Sequence, residues 1–592
     1  MSENVEFAES PGRTPSPGQI VARIGISSIG AANTIVSFDA GQTGLVDEIG
    51  YGPLAAATRR ALRYGRQKAI AALAAVDVAG TVSAVTKTGG GPTVTCAAVL
   101  ADGDQIAGPW LAFPNLLLTI VREGDLGVAR AEFSYDGVTT HETVDIAPKL
   151  PASLIGTVDL TGITLATLNA KTFIFDPDGG GDETVTFTTP SSVADIATQI
   201  NAVVADSASI VAGRYLKISG ATLGSAGSIE IKNGTANADL GFTNTQSADG
   251  VDSTYSPQGV GITFTFPAGA YELGTTYEVT TTAPKMATTD FDAAAAALRA
   301  SGEAFAILHV VYDPVDGIDL QAWQVALEAF RVECATAEDN PIFFKWVLGS
   351  VLAPVEDWDD VDLDVKTTLA GTQEDHKFNT IVHGDVFLDF VEYSGRHRAQ
   401  LALPYVERLA RYALNVNPGL GAAGKLEACY LKNLDNTKAR TEAEALVKME
   451  DFGFSVLRDD KQLPYIRAGR TRAPITSQLT GEHTTRAALE CARVLRDVAF
   501  SFSNSLPDLA PDGSLSPTDK VNIENAFNDA LQNQIVEPRY ASSARAIVTK
   551  FETIGGANKV YVTGIFQRLA WVKDTNIVVY VTPDATAVTE VQ

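Results

Sequence analysis

Residues 260–309 read VGITFTFPAGAYELGTTYEVTTTAPKMATTDFDAAAAALRASGEAFAILH, and they carry the sharpest change of texture in the chain. Up to Pro284 they belong to a stretch dominated by Thr, Val, Gly and Asp. Beyond it, Thr289 is placed to cap a helix over 290–300, which Gly302 ends. Residues 304–311 then form an apolar run of the kind that fills a buried strand. An all-β region gives way here to α/β alternation.

Upstream of this point, from about 80 to 283, turn signals recur every several residues, as at 89–92, 102–104, 135–137 and 176–181. Short strands at that spacing predict an all-β region. One helix interrupts it. Ser192-Val-Ala-Asp195 is a capping box, and Ile196, Ile200 and Val203 follow at helical spacing. Residues 1–18 hold Pro11, Pro15 and Pro17 and little apolar material, which predicts an extended arm. Residues 20–26 place Ile20, Ala22, Ile24 and Ile26 on one face of a strand. Pro53 opens a predicted helix running to about Ala75, with Leu54, Leu62, Ile70 and Leu73 among its apolar positions.

Downstream, 318–333 is amphipathic, 342–348 is another apolar strand, and the alternation continues to about Arg470. Two long helices follow. The first covers 484–502, with Cys491, Leu495, Val498 and Phe502 on one face. The second opens at Ser516-Pro517-Thr-Asp519. Alternating strands at 560–569 and 576–581 precede a polar tail. No internal repeat is evident, and boundaries are expected near 80, 152, 252 and 285.

A chain of 592 residues is too long for a single core, which stops growing near roughly 250–300 residues. The net charge of −26, from 71 acidic and 45 basic side chains, argues against nucleic acid as the main partner, because phosphate binding needs a basic footprint. Cys96, Cys334, Cys429 and Cys491 are far apart and form no CxxC, which excludes a disulfide framework and a cysteine zinc site. Residues 1–13 show no signal-peptide pattern, and apolar runs such as 69–76 are too short to span a bilayer. The expectation is a chain folded in a reducing cytoplasm, with no direct membrane contact.

Three stretches imitate active sites. Gly419-Leu-Gly421-Ala-Ala-Gly424-Lys425 matches GxGxxG and most of a phosphate loop. Such loops need a strand before them and a helix after, whereas 403–414 is helical in period and Leu426 stands where a magnesium-binding hydroxyl belongs. A glycine-rich turn is the better reading. Asp375-His376 and His383-Gly-Asp385 suggest a metal pair without a third ligand, and a structural histidine is preferred. Asp176-Pro-Asp178-Gly-Gly-Gly-Asp182 lacks the spacing of a calcium loop and reads as a β-turn. No catalytic set, cofactor site or metal site is predicted. Two charge features remain: acids crowd 356–364, and Arg458, Lys461, Arg467, Arg470, Arg472, Arg486, Arg493 and Arg496 form a basic stretch. These are either solvated faces or complementary patches that meet between subunits.

The order GITFTFPAGAYELGTTYEVTTTAP, short alanine-rich helix, SGEAFAILHV resembles contractile tail sheath proteins of phages and related injection particles. Ile24-Gly-Ile-Ser, Asn33 and Gly52-Pro-Leu54 look like that family's opening strand and first helix. Tyr465-Ile-Arg-Ala-Gly, the 491–498 helix and the strands from Lys559 to Pro583 fit its carboxy-terminal part. Within 152–252, the segments 172–177, 183–187, 214–219 and 238–242, with the 195–204 helix, resemble a small module of flagellar hook proteins and some sheaths.

The fold class implied is α+β and multidomain: an α/β sheath core from amino- and carboxy-terminal parts, an inserted mostly-β region and a small hook-type insertion module. Its expected parts are an extended arm (1–30), the first part of the core (31–80), a protruding β-domain (81–151 and 253–284), the inserted module (152–252), the α/β domain (285–480), a helical part (481–558) and carboxy-terminal strands (559–592). The resemblance implies a virion-tail subunit, assembled in a host bacterial cytoplasm, that stacks as hexameric rings around an inner tube and contracts. Its implied partners are copies of itself, a tail tube protein, and baseplate and tail terminator proteins. Strand exchange between subunits is expected at Ile20, Ala22, Ile24, Ile26, Val560, Val562, Ile565, Ile577, Val579 and Val581. Arg486, Arg493 and Arg496 are expected to face the tube or a neighbouring subunit. The competing readings are a hook-like or decorating structural protein, and an α/β enzyme using the Gly419 loop or His376 and His383.

Overall fold

The computed structural model describes residues 19–39, 44–65, 68–137, 139–312, 319–337, 341–350, 378–389, 396–414, 416–418, 426, 429–430, 454–460, 463–466, 469, 471–472, 481–503, 517–554 and 557–567. The fold is mixed α/β with several sheets. Strand Val21–Gly25 is apolar apart from Arg23 and buried throughout. Such a strand belongs inside a parallel sheet covered on both faces. It runs parallel to Ala69–Leu73 on one side and Ile307–Val310 on the other. The sheet continues through Lys345–Ser350, Thr380–His383 and Phe454–Asp460, all parallel. Antiparallel strands Ile35–Phe38 and Leu463–Ile466 close its two edges.

Helices cover both faces. On one, Phe291 and Leu298 of helix Thr288–Ala300 and Trp323, Leu327 and Phe330 of helix Leu320–Ala335 pack on Ala22, Ile24, Leu308 and Val310. On the other, Ala57 of helix Pro53–Arg60 and Val406 and Leu409 of helix Ala402–Arg411 pack on Val21, Ile307 and Val347. Asp319 caps helix Leu320–Ala335, accepting from the N–H groups of Gln321 and Ala322. Thr289 is not the cap of the preceding helix. That helix begins one residue earlier, and Asp290 reaches back to accept from the Ala287 N–H at 2.8 Å.

The predicted helix from Pro53 to about Ala75 ends early. Helix Pro53–Arg60 widens into a π-turn over Ala61–Gly65, and Ala69–Leu73 is a strand buried along its whole length. Alanine favours helices, but that preference is only about 0.5 kcal/mol per residue over ordinary residues. Pairing on both edges and burial on both faces override it.

Two further cores lie between residues 80 and 285. One is built from two sheets of five and three strands, with Phe113, Leu116, Leu118, Phe133, Phe264 and Tyr277 at its centre. The other draws all its buried residues from 152–242, around Phe173, Phe175, Ile196, Ile218 and Ile229. In it, Ser192 accepts from the Asp195 N–H and starts helix Val193–Asn201, as the capping box predicts. The 176–182 stretch is the turn between strands Thr172–Pro177 and Glu183–Thr186.

Asp178 in that turn ties three chain segments together. Its carboxylate accepts from the N–H groups of Ala221 at 2.9 Å, Thr222 at 3.0 Å and Ser228 at 3.2 Å. Partial burial pulls its pKa upward, but these donors outweigh it and hold the carboxyl below its usual value. A group with a lowered folded pKa contributes stability above its unfolded pKa and loses it as pH falls through the folded one. Asp178→Ala is therefore expected to cost this core about 2 kcal/mol at neutral pH, and the loss should shrink below about pH 4. Hydrogen exchange at Ala221, Thr222 and Ser228 reads both effects. Unchanged protection would contradict the clamp.

Candidate functional site

The carboxy-terminal part builds a small body of its own. Helix Glu482–Ser503 turns Cys491, Val494, Leu495 and Val498 toward Ile523, Phe527 and Leu531 of helix Pro517–Leu531. Against both helices lies a hairpin of two long strands, Ser543–Ile554 and Ala557–Gln567. Ala546, Val548, Val562 and Phe566 point into this core. Gly564 lets the hairpin approach closely, since a Cβ there would sit 2.6 Å from the Leu495 Cδ1.

The two outer edges of the hairpin differ. Along Ser543–Ile554, the Asn528 side chain caps the backbone of Ala546. The Ala546 N–H donates to Oδ1 at 2.8 Å, and Nδ2 donates to the Ala546 carbonyl at 3.1 Å. That edge is blunted by a helix. The outer edge of Ala557–Gln567 has no strand partner among the described residues. It offers about 35 Å of backbone at ~3.3 Å per residue. Ile565 on this strand is 55% exposed. Unpaired N–H and C=O groups beside an exposed apolar side chain form a template for another strand.

The residues proposed for strand exchange therefore divide. Val560, Val562 and Ile565 lie on the open-edged strand, with Val562 turned inward and Ile565 outward. Ile577, Val579 and Val581 lie outside the described residues. The expectation for Ile20, Ala22, Ile24 and Ile26 is corrected. The strand Val21–Gly25 has both edges filled by the chain's own strands, and Ala22 and Ile24 are fully buried beneath helices. No neighbour can add a strand along Val21–Gly25, because both of its edges are paired within the chain.

The arginine expectation is corrected for Arg486 and Arg493, whereas Arg496 is partly exposed. Arg486 is 3% and Arg493 6% exposed. Arg486 donates to the carbonyls of Leu409 at 2.7 Å and Tyr412 at 3.2 Å, at the end of helix Ala402–Arg411, where cations suit the helix dipole. Arg493 donates twice to the Phe343 carbonyl and pairs with Glu490. Arg496 donates to the Pro341 carbonyl at 2.8 Å and pairs with Asp497. The spacing of seven that puts Arg486 and Arg493 on one helix face is real, but that face points into the chain.

A buried ionic network escaped the sequence reading. Lys345, the first residue of its strand, and Glu482, the first of its helix, are both fully buried and form a salt bridge. The Lys345 Nζ also donates to the Thr380 hydroxyl at 2.7 Å. Thr380 and Tyr405 in turn donate to Glu482 Oε2 at 2.8 and 3.1 Å. Burial lowers the Lys345 pKa against the pull of Glu482, and burial beside that carboxylate pushes Tyr405 well up. The network pins the carboxy-terminal helix to the middle of the main sheet. The only sequence signal was a lysine inside an apolar strand.

The active-site lookalikes gain no support. Gly419, Gly421, Gly424, Lys425, Asp375 and His376 lie outside the described residues. His383 ends strand Thr380–His383 and is half-buried. Among the described residues, no three His, Cys, Asp or Glu side chains group as a metal site would require. None of the described helices is long and apolar enough to cross a membrane.

No protein-family model matches the chain, and no curated protein matches its sequence. Among solved structures, a sheath tail protein from Desulfitobacterium hafniense aligns over 95% of this chain and 100% of its own, at 11% identity and a TM-score of 0.39. A sheath tail protein from Listeria innocua aligns over 93% and 95%, at 8% identity and a TM-score of 0.37. The contracted sheath complex of an extracellular contractile injection system covers 48% of this chain and 72% of its own, at 10% identity and a TM-score of 0.33. At such identities and TM-scores, these likenesses carry no weight in assigning a function.

Proposed function

We propose that the chain is the structural subunit of a contractile tail sheath. It polymerises as stacked hexameric rings around an inner tube, and contraction drives the tube through a target envelope. The observation that carries this reading is the outer edge of strand Ala557–Gln567, which has no strand partner among the described residues and ends a hairpin seated on its own helices. An isolated monomer gains nothing from a long unpaired edge with an exposed isoleucine, whereas a polymer uses it. The segment order around residues 260–309, which resembles that family, supports the same reading.

In this reading a strand from a neighbouring copy completes the hairpin, and further contacts reach the tube, baseplate and terminator proteins. The work is conformational. The extended polymer is held on the tube until a baseplate signal releases it, and each subunit then moves to a packing with more buried contact. Differences of a few kcal/mol per subunit suffice when summed along a polymer. Sedimentation of the purified chain across a wide concentration range tests the assembly step. Growth from single subunits into rings or tubes is expected. A single-subunit boundary at every concentration would count against it.

A further inference from the structure

One buried cluster takes no part in the assembly reading. Arg23 and His309 are register partners on adjacent strands of the main sheet, and both are fully buried. Neighbouring strands are only about 5 Å apart, so their side chains stand side by side on one face. The three nitrogens of the Arg23 guanidinium have no hydrogen-bond partner among the described residues. The same holds for both ring nitrogens of His309 and for the hydroxyl of fully buried Thr58, on the helix that packs over this face.

Among the described residues, the anion that acts on Arg23 is already engaged. Glu407 is clamped by both arms of Arg60, at 3.0 and 3.1 Å, with both side chains buried. Among the described residues, Arg23, Arg60 and Glu407 together carry one positive charge more than they pair. His309 does not add to it, since burial and the neighbouring Arg23 push its pKa well down and keep it neutral. Burial likewise lowers Arg23, against the pull of Glu407, to about 10, so it is still charged at neutral pH.

An unpaired buried guanidinium costs several kcal/mol. A buried water would satisfy its hydrogen bonds but not its charge. We propose that this pocket between strands Val21–Gly25 and Ile307–Val310 and helix Pro53–Arg60 holds a small inorganic anion of chloride size. Arg23 supplies the charge, and His309 and Thr58 supply further donors. Arg23, His309 and Thr58 are all fully buried, which favours a small anion over sulfate. Glu407 also lines a surface cleft with Tyr64, Pro404, Arg408, Arg411, Tyr412 and Leu426.

The test is thermal unfolding of the full chain as chloride replaces gluconate at constant ionic strength. A saturable site raises Tm by about 2 °C per tenfold chloride above its Kd. Bromide should reproduce the rise and sulfate should not. Chloride and gluconate also differ as cosolutes, so the readout is the slope relative to Arg23→Met, which should be flat. If that variant does not fold, Thr58→Val replaces it and should show a reduced slope. Equal slopes for the native chain and the variants would mean a buried water only and would overturn the site. Neither result depends on whether the chain polymerises.

Discussion

Glu482→Ala is expected to destabilise the core by about 3–5 kcal/mol, because it leaves a buried ammonium without its carboxylate. Lys345, Thr380 and Tyr405 all direct hydrogen bonds at Glu482, so one truncation removes a hydrogen bond from three buried polar groups at once. The residue also starts helix Glu482–Ser503, so its loss loosens the attachment of the carboxy-terminal body to the sheet. Urea unfolding followed by the emission of fully buried Trp346, next to Lys345, reads the effect. Removing both charges, as in Lys345→Met with Glu482→Gln, should cost clearly less than Glu482→Ala alone, since no lone charge is left buried. A loss below about 1 kcal/mol for the single change would show that the network is not what holds the helix.

Ile565→Lys is expected to abolish polymerisation while leaving the fold intact. The side chain faces outward and is 55% exposed, so the substitution should shift subunit stability by no more than about 0.5 kcal/mol. A lysine on an edge strand opposes edge-to-edge pairing. Each interface in a polymer carries the penalty, and about 1.4 kcal/mol per contact already raises the critical concentration tenfold. Unchanged Tm with assembly lost is the expected pair of results. Gly564→Val is the informative contrast. It drives a side chain into Leu495 and should lower subunit stability first. Normal tubes from Ile565→Lys would remove the open edge from the account.

The change of texture at Pro284 was legible because local signals agree there. The helix and strand predicted over 290–300 and 304–311 stand at Thr288–Ala300 and Ile307–Val310. The same holds for Ser192 and its helix, where capping is a matter of four consecutive residues. What was lost is what depends on distant partners. Ala69–Leu73 has helical composition, and only its place between two other strands makes it a strand. Ala22 and Ile24 read correctly as one face of a strand, with Ile20 and Ile26 just outside it, but a one-face pattern does not show that both edges of the strand are paired. Strand Ser543–Ile554 went unseen because Arg545, Lys550 and Glu552 interrupt Ile547, Val548, Phe551 and Ile554 and break the alternation of apolar and polar residues. Of the candidate site, Val560, Val562 and Ile565 were legible as an alternating segment. The blunted edge at Asn528 and Ala546 was not, since it depends on how a helix sits across a strand.

Electron microscopy of the purified chain, concentrated alone and mixed with a preformed inner tube, tests the sheath assignment most directly. Six-fold rings or striated hollow tubes are the expected result. Compact particles of single-subunit size, 62.4 kDa, under both conditions would contradict it.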